Sequence, residues 1–280
     1  MKKSLLAVFL FIASQFIGYA IAAVIFLIPH LSEMTDMAMI AQWFRSITPD
    51  TDTGISILIA SLLISQILLF LIFTAAHWLK PADLVKAVPV KTFLLCIPLL
   101  VAAILVLNML NSALGLPDTG KEQFMKMVQS PWGILSIALT GPVTEEIVFR
   151  RITIDNCLKS TGKGRTAIII SAFLFGLIHL NPAQMVFAFC VGILFGWIYL
   201  RTGSMMPGVI GHIINNTIGV IEMRAVTDMM PDDTRFYQEP LYLAIFIACS
   251  VLSVLLIAII DRTCPKMASH SNGSSLHHSG

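Results

Sequence analysis

An all-α, polytopic membrane bundle of about eight transmembrane helices is the fold class this sequence predicts. Two observations carry the prediction. The 280 residues are 56% hydrophobic and only 12% charged, about half the charged content of an ordinary soluble domain. The apolar residues also gather into eight stretches close to the length of about 20 residues that a helix needs to cross hydrocarbon.

Lys2 and Lys3 open the chain, and the first apolar stretch runs over 4–28. A basic start followed by Ala20-Ile21-Ala22 looks like a signal peptide with a small-residue cleavage site. The run continues to Ile28, though, beyond the roughly 7–15 residues of a signal's apolar region, so a retained helix is expected. A polar, acidic segment follows over 29–53, in which Trp43 and Phe44 suggest an interfacial amphipathic turn. The next spans are expected at 54–79, 92–114 and 131–158. Two shorter ones, 165–180 and 183–200, meet at a tight Asn181-Pro182 turn. The last two are expected at 204–222 and 240–261, with a polar loop over 223–239 between them.

Residues 1–264 thus read as one membrane domain. The stretch from 265 to 280 is polar, cannot bury a core and is expected to be disordered. Its His270, His277 and His278 are better read as part of a loose tail than as a metal site. Cys96, Cys157, Cys190, Cys249 and Cys264 lie far apart, form no CxxC pair and read as small buried hydrophobes. No internal repeat is visible.

Basic residues orient the bundle. With the N-terminus inside, 13 of the 18 lysines and arginines fall on the cytoplasmic side and five on the other, as the positive-inside rule requires for eight spans with both termini cytoplasmic. An integral protein of a prokaryotic cytoplasmic membrane is expected. A net charge of +2, with no basic run interleaved with aromatics, excludes a nucleic-acid partner; the bilayer is the evident one.

The fourth stretch breaks the pattern with Thr144-Glu145-Glu146-Ile-Val-Phe-Arg150-Arg151. Each charge at membrane depth costs roughly 2.5–3.5 kcal/mol on insertion scales, so the cluster needs a function or a place outside the lipid. Snorkelling arginines at a helix end would explain Arg150 and Arg151, but not two glutamates a further turn in. Gly141-Pro142 just ahead should kink or loosen the helix, because proline lacks an N–H and clashes with the preceding turn. Glu146 and Arg150 share a face at i and i+4 and can pair. Glu145 projects about 100° away, free for another partner.

The fifth stretch ends Phe175-Gly-Leu-Ile-His179, and the seventh carries His212 with Asn215 and Asn216. Each histidine alone is weak evidence, since polar groups in membrane helices also act as interhelical glue. Together they are stronger. Ionisable groups on three membrane helices are expected to turn inward, and Gly176, Gly192, Gly196, Gly208 and Gly211 would let those helices approach closely. One site of Glu145, Glu146, His179, His212 and Asn216 follows.

Apolar surroundings make a carboxylate a better proton acceptor. A glutamate and a histidine sharing one water could direct it at a peptide carbonyl, with His212 and Asn216 donating to the oxyanion. There is no HExxH, no serine-hydrolase signature and no aspartyl dyad in the spans. Glu145, His179 and His212 would also serve as a zinc ligand set with water in the fourth position, so zinc stays an open alternative.

Taken in order, Glu145-Glu146-Ile-Val-Phe-Arg150, Phe175-Gly-Leu-Ile-His179 and His212-Ile-Ile-Asn215-Asn216 resemble the EExxxR, FxxxH and HxxxN motifs of the CPBP family of intramembrane proteases, the CAAX-processing and bacteriocin-processing or Abi enzymes. The resemblance covers about residues 131–220, and no motif residue departs from it. It implies an intramembrane endopeptidase of either glutamic or metal-dependent type. It assigns Glu145 and His179 to water activation, His212 and Asn216 to the oxyanion side, and Glu146 and Arg150 to support. The substrate would be a peptide or membrane protein.

Two other classes remain at this point. One is a non-catalytic membrane protein that binds a peptide or confers immunity, against which the intact motif set argues. The other is a proton-coupled transporter, which would more naturally show two related halves with paired broken helices.

Overall fold

The computed structural model of the protein describes residues 1–32, 34–84, 86–229 and 240–263. The segment 265–280, Cys264 and most of the 223–239 loop lie outside those residues. Among the described residues all regular structure is helical. The helices are α1 (Lys2–Leu27), α2 (Met37–Ser46), α3 (Asp52–Ala75), α4 (Pro81–Leu84), α5 (Val90–Ala113), α6 (Lys121–Met127), α7 (Pro131–Thr161), α8 (Gly164–Leu177), α9 (Pro182–Thr202), α10 (Met206–Met229) and α11 (Pro240–Thr263).

Among the described residues, six helices are long and apolar enough to cross a membrane: α1, α3, α5, α7, α9 and α11. Two more stand where the sequence places spans. α8 is apolar but only 14 residues long. α10 carries His212, Asn215, Asn216 and Glu222 along its length and runs past the expected end at 222 to Met229. The chain is a polytopic helical membrane protein, with six spans evident by length and composition among the described residues.

Local chemistry sets the ends. Asp36 caps α2 by accepting from the N–H groups of Ala38 and Met39 at 2.8 and 2.9 Å, and Thr51 caps α3 through Gly54 N–H at 3.0 Å. Gly162 and Gly203 close α7 and α9 at φ +65° and +66°, the left-handed position that glycine takes at low cost. The Trp43 and Phe44 rings of α2 stand edge to face at 5.2 Å.

α7 is the centre of the bundle. Half of its apolar window is buried, against 17% for α1 and α11, which marks those two as peripheral. α1 packs on α3 and on the second half of α7; α8 pairs with α9 and leans on α7; α5 pairs with α11; α10 lies against α5, α7 and α9. Phe73, Phe149 and Phe175 belong to one buried cluster, while Leu99, Leu100, Phe195 and Leu256 fill a second between α5, α9 and α11. Phe9, Phe16, Phe173 and Val254 are exposed, as apolar side chains of a lipid-facing surface should be. Cys96 and Cys157 are buried, and Cys190 and Cys249 half-buried.

The two ends of the bundle are each tied across helices. At the end holding the N-terminus, Met1 N donates to Ser160 Oγ at 2.8 Å, Ser204 Oγ to the Lys86 carbonyl at 2.6 Å, and Arg201 pairs with Asp261. At the opposite end, Lys126 Nζ donates to the Asp50 carbonyl at 2.8 Å and Asn181 Nδ2 to Asp118 Oδ1 at 2.6 Å.

Candidate active site

The expected break at Gly141-Pro142 takes an unexpected form. α7 runs unbroken to Thr161, but π-helical stretches at Leu135–Thr140 and Ile147–Ile154 bracket the α-helical turn Gly141–Glu146. In a π turn each N–H reaches five residues back, as Gly141 N–H does to the Ser136 carbonyl. In that register residue 142 would donate to the Ile137 carbonyl, and Pro142 has no N–H. Asn216 Nδ2 of α10 donates to that carbonyl instead, at 2.8 Å.

Other helices meet the remaining polar groups of the widened segment. Gln66 of α3 donates to Ser136 Oγ at 3.2 Å and accepts from Thr140 Oγ1 at 2.5 Å. Ser171 of α8 donates to the Phe149 carbonyl at 2.7 Å. Such partners are what irregular backbone at membrane depth requires.

The turn between the π stretches presents the two glutamates in different surroundings. Glu146 is fully buried, with Oε2 3.2 Å from Nε of the equally buried Arg150. That contact is close but poorly aligned, since the guanidinium nitrogens make no hydrogen bond. The guanidinium lies instead over aromatic faces, with Cζ 4.5 Å from the Phe175 ring centre and 5.3 Å from that of Phe195. Arg150 is therefore held by charge and by cation–π contact, not by snorkelling. α10 reaches Glu146 because residue 208 is glycine: a Cβ there would sit 2.8 Å from Glu146 Oε2.

Glu145 is one-fifth exposed and opens onto a cavity of 380 Å³. His212 joins the pair: Nδ1 lies 3.3 Å from Glu146 Oε1 and Nε2 3.5 Å from Glu145 Oε2. Phe175 and Phe195 flank its ring, each with centroids 5.7 Å away.

The cavity brings together the side chains that the sequence singled out: Glu145, His179, His212 and Asn216 all line it. Glu146 and Arg150 lie behind that wall. His179 is at the frayed end of α8, where Leu180 takes a left-handed φ of +53°. Its Nδ1 lies 2.8 Å from the Phe175 carbonyl, an acceptor that fixes Nδ1 as the N–H and leaves Nε2 as the acceptor of a neutral ring. Asn216 spends one amide hydrogen on Ile137 and accepts from Asn215 Nδ2 at 3.0 Å, so its second N–H is available.

The zinc alternative fits less well. Glu145 and His212 are neighbours, but among the described residues no three His, Cys, Asp or Glu side chains converge to hold a metal ion.

Sequence reasoning missed several members of the cavity. Gln66, Asn108, Asn111 and Asp118 also line it, and Asn108 Nδ2 donates to Asn215 Oδ1 at 3.5 Å. Lone amides inside otherwise apolar spans were the available signal. Arg151 serves elsewhere, pairing with Asp83 at 3.0 Å and with Asp155.

Residues 127–218 match the family model described as type II CAAX prenyl endopeptidase, Rce1-like. A Bacillus subtilis (strain 168) protein described as "Putative membrane peptidase YdiL" is 27% identical over 109 residues, spanning 39% of this chain and 44% of that protein. The chain thus covers less than half the length of this relative. No solved structure matches it. With its three motifs gathered on one membrane cavity and that stretch matched by the model, residues 127–218 of the chain resemble the Rce1-like CPBP family of membrane proteases.

Proposed function

We propose that the protein is an intramembrane endopeptidase in which Glu145 activates the hydrolytic water. The observation that carries this is the division of labour between adjacent carboxylates: Glu146 is buried against Arg150, while Glu145 faces the cavity with a histidine at hydrogen-bonding range. The resemblance of residues 127–218 to the Rce1-like family supports this reaction class.

In this reading a peptide carbonyl lies in the cavity between α7 and α10. Glu145, with His179 Nε2 as a second acceptor, takes a proton from water as the oxygen bonds to the carbonyl carbon. The oxyanion is met by the free N–H of Asn216 and by His212, which can donate from Nε2 only as the imidazolium, because its Nδ1–H already faces the Glu146 carboxylate. Collapse breaks the C–N bond, and Glu145 returns its proton to the leaving amine. Arg150 and Glu146 act as positioning residues by fixing Nδ1 of His212.

The test is cleavage of a quenched peptide library by purified protein in detergent, wild type beside Glu145→Gln. Glu145→Gln keeps shape and removes the base; an activity loss of about 10²–10⁴-fold with unchanged thermal stability is expected. A variant that cleaves as well as wild type overturns the assignment. Parallel assays with a zinc chelator separate the metal-dependent type from the glutamic one.

A further inference from the structure

The cavity is open at one end and sealed at the other. Asp118, Lys121 and Glu222, all exposed, stand at its rim, at the end of the bundle that also holds the α8–α9 turn. The rim is braced: Asn181 Nδ2 donates to Asp118 Oδ1 at 2.6 Å, and Ala183 N–H to the Pro117 carbonyl at 3.3 Å. Toward the other end, Glu145 rests on Glu146, Arg150, Phe175 and Phe195, all 2% exposed or less. Beyond them lie Phe149, Ile152 and Ile154, also fully buried. Among the described residues, these buried side chains close the cavity on that side.

The sealed end is the basic end. Among the described residues it carries Lys2 and Lys3, the lysines between α3 and the start of α5, those of the α7–α8 turn with Arg165, and Arg201 and Arg262. The rim end has Arg45, Lys121, Lys126 and Arg224, offset by Glu122, which pairs with Lys126, and by Asp118 and Glu222. Short connections and basic residues close to helix ends are the conditions under which positive charge marks the cytoplasmic side. Glu145 itself lies fourteen residues after Pro131, roughly 20 Å along the helix from the rim end, so a substrate must reach inward from that rim to be cut.

We propose that the cavity is fed from the non-cytoplasmic face of the membrane. Its substrate would then be an extended peptide segment presented from that side, not the cytoplasmic tail of a prenylated protein. The substrate clause rests on the peptidase reading; the direction of access does not. The walls suit an extended backbone. Gln66, Asn108, Asn111 and Asn215 line the path from rim to Glu145, side-chain amides each able to donate to a peptide carbonyl and accept from a peptide N–H. Asn111 Oδ1 is already buried with no partner.

Membrane-impermeant maleimide labelling of the full chain in intact cells and in inside-out vesicles tests the direction. Gln184→Cys places a thiol on the cavity wall, and Lys163→Cys places one in the α7–α8 turn. Unsubstituted protein sets the background from the native cysteines, of which Cys96 and Cys157 are buried. Gln184→Cys should gain label severalfold over that background in intact cells, and Lys163→Cys only in inside-out vesicles. Glu222→Cys, on the rim, repeats the measurement if Gln184→Cys fails to accumulate. Labelling of the cavity thiol only in inside-out vesicles, or from neither side, overturns the proposal. The same pattern is expected on a Glu145→Gln background, so it reads access without catalysis. A chain labelled as expected that cleaves nothing would sink the peptidase reading and leave the direction of access standing.

Discussion

Arg150→Met tests the buried pair on which the site is built. Glu146 and Arg150 lie 3.2 Å apart and are almost completely buried. At an effective dielectric of about 20 their attraction is about 5 kcal/mol, similar to the several kcal/mol lost per ion on leaving water. The pair as a whole is therefore close to neutral for stability. Removing one partner is not neutral, because it leaves an uncompensated buried charge, at about 3–5 kcal/mol. In Arg150→Met the orphan is Glu146, and the cation–π contacts to Phe175 and Phe195 go as well. At roughly 2–4 °C per kcal/mol for a chain of about this size, the midpoint of thermal unfolding should fall by roughly 6–20 °C.

The double variant Glu146→Gln with Arg150→Met removes both charges while keeping an acceptor for His212 Nδ1. It should recover more than half of that loss. Arg151→Met is the control: Arg151, Asp83 and Asp155 are each between a sixth and about a quarter exposed, where a pair is worth at most about 1 kcal/mol. The measurement is thermal unfolding in detergent, followed by intrinsic fluorescence for all four proteins. A single variant as stable as the double would refute the reasoning, since it would mean that Glu146 needs no counter-charge.

Two further substitutions probe how α10 is docked. Asn216→Ala should cost about 1–3 kcal/mol by orphaning the Ile137 carbonyl, and Pro142→Ala, which restores a backbone N–H in the π register, should make that loss smaller; strictly additive effects in the thermal double-mutant cycle would count against the exchange of donors. Gly208→Ala places a methyl group 2.8 Å from Glu146 Oε2 and should reduce cleavage severalfold with little change in detergent solubility, and an activity equal to wild type would show that α10 does not need to approach so closely.

The spans were legible because hydrocarbon imposes a length and a composition on each, and the glutamates and histidines because they violate that composition. Glu146 with Arg150, and His212 with Asn216, could be placed on common faces from spacing alone. The π stretches could not. They leave hydropathy unchanged, and one added residue per widened turn disappears in the noise of an apolar run. Gln66, Asn108 and Asn111 escaped for a related reason: a lone amide in a span is as consistent with helix–helix glue as with a cavity wall. α8 and α10 were expected at 165–180 and 204–222 and stand there as helices, but one is too short and the other too polar to count as a span by length and composition. Nor could any pattern show which end of the cavity is open, because that depends on the packing of Phe175 and Phe195 around Arg150.

The widened helix explains why these features occur together. An α-helical turn holds Glu145 and Glu146 between two π stretches, and Pro142 deprives the Ile137 carbonyl of its donor. In hydrocarbon each such group would cost several kcal/mol if left alone. Polar partners for the segment come from three separate helices: Gln66 on α3 donates to Ser136 Oγ, Ser171 on α8 to the Phe149 carbonyl, and Asn216 on α10 to the Ile137 carbonyl. All three contacts help α7 to hold its irregular shape, and docking of α10 also brings His212 to the glutamates. The same contacts that make the irregular helix tolerable in the membrane thus assemble the site. An isolated α7 would not carry a partial activity; the reactive arrangement exists only in the closed bundle.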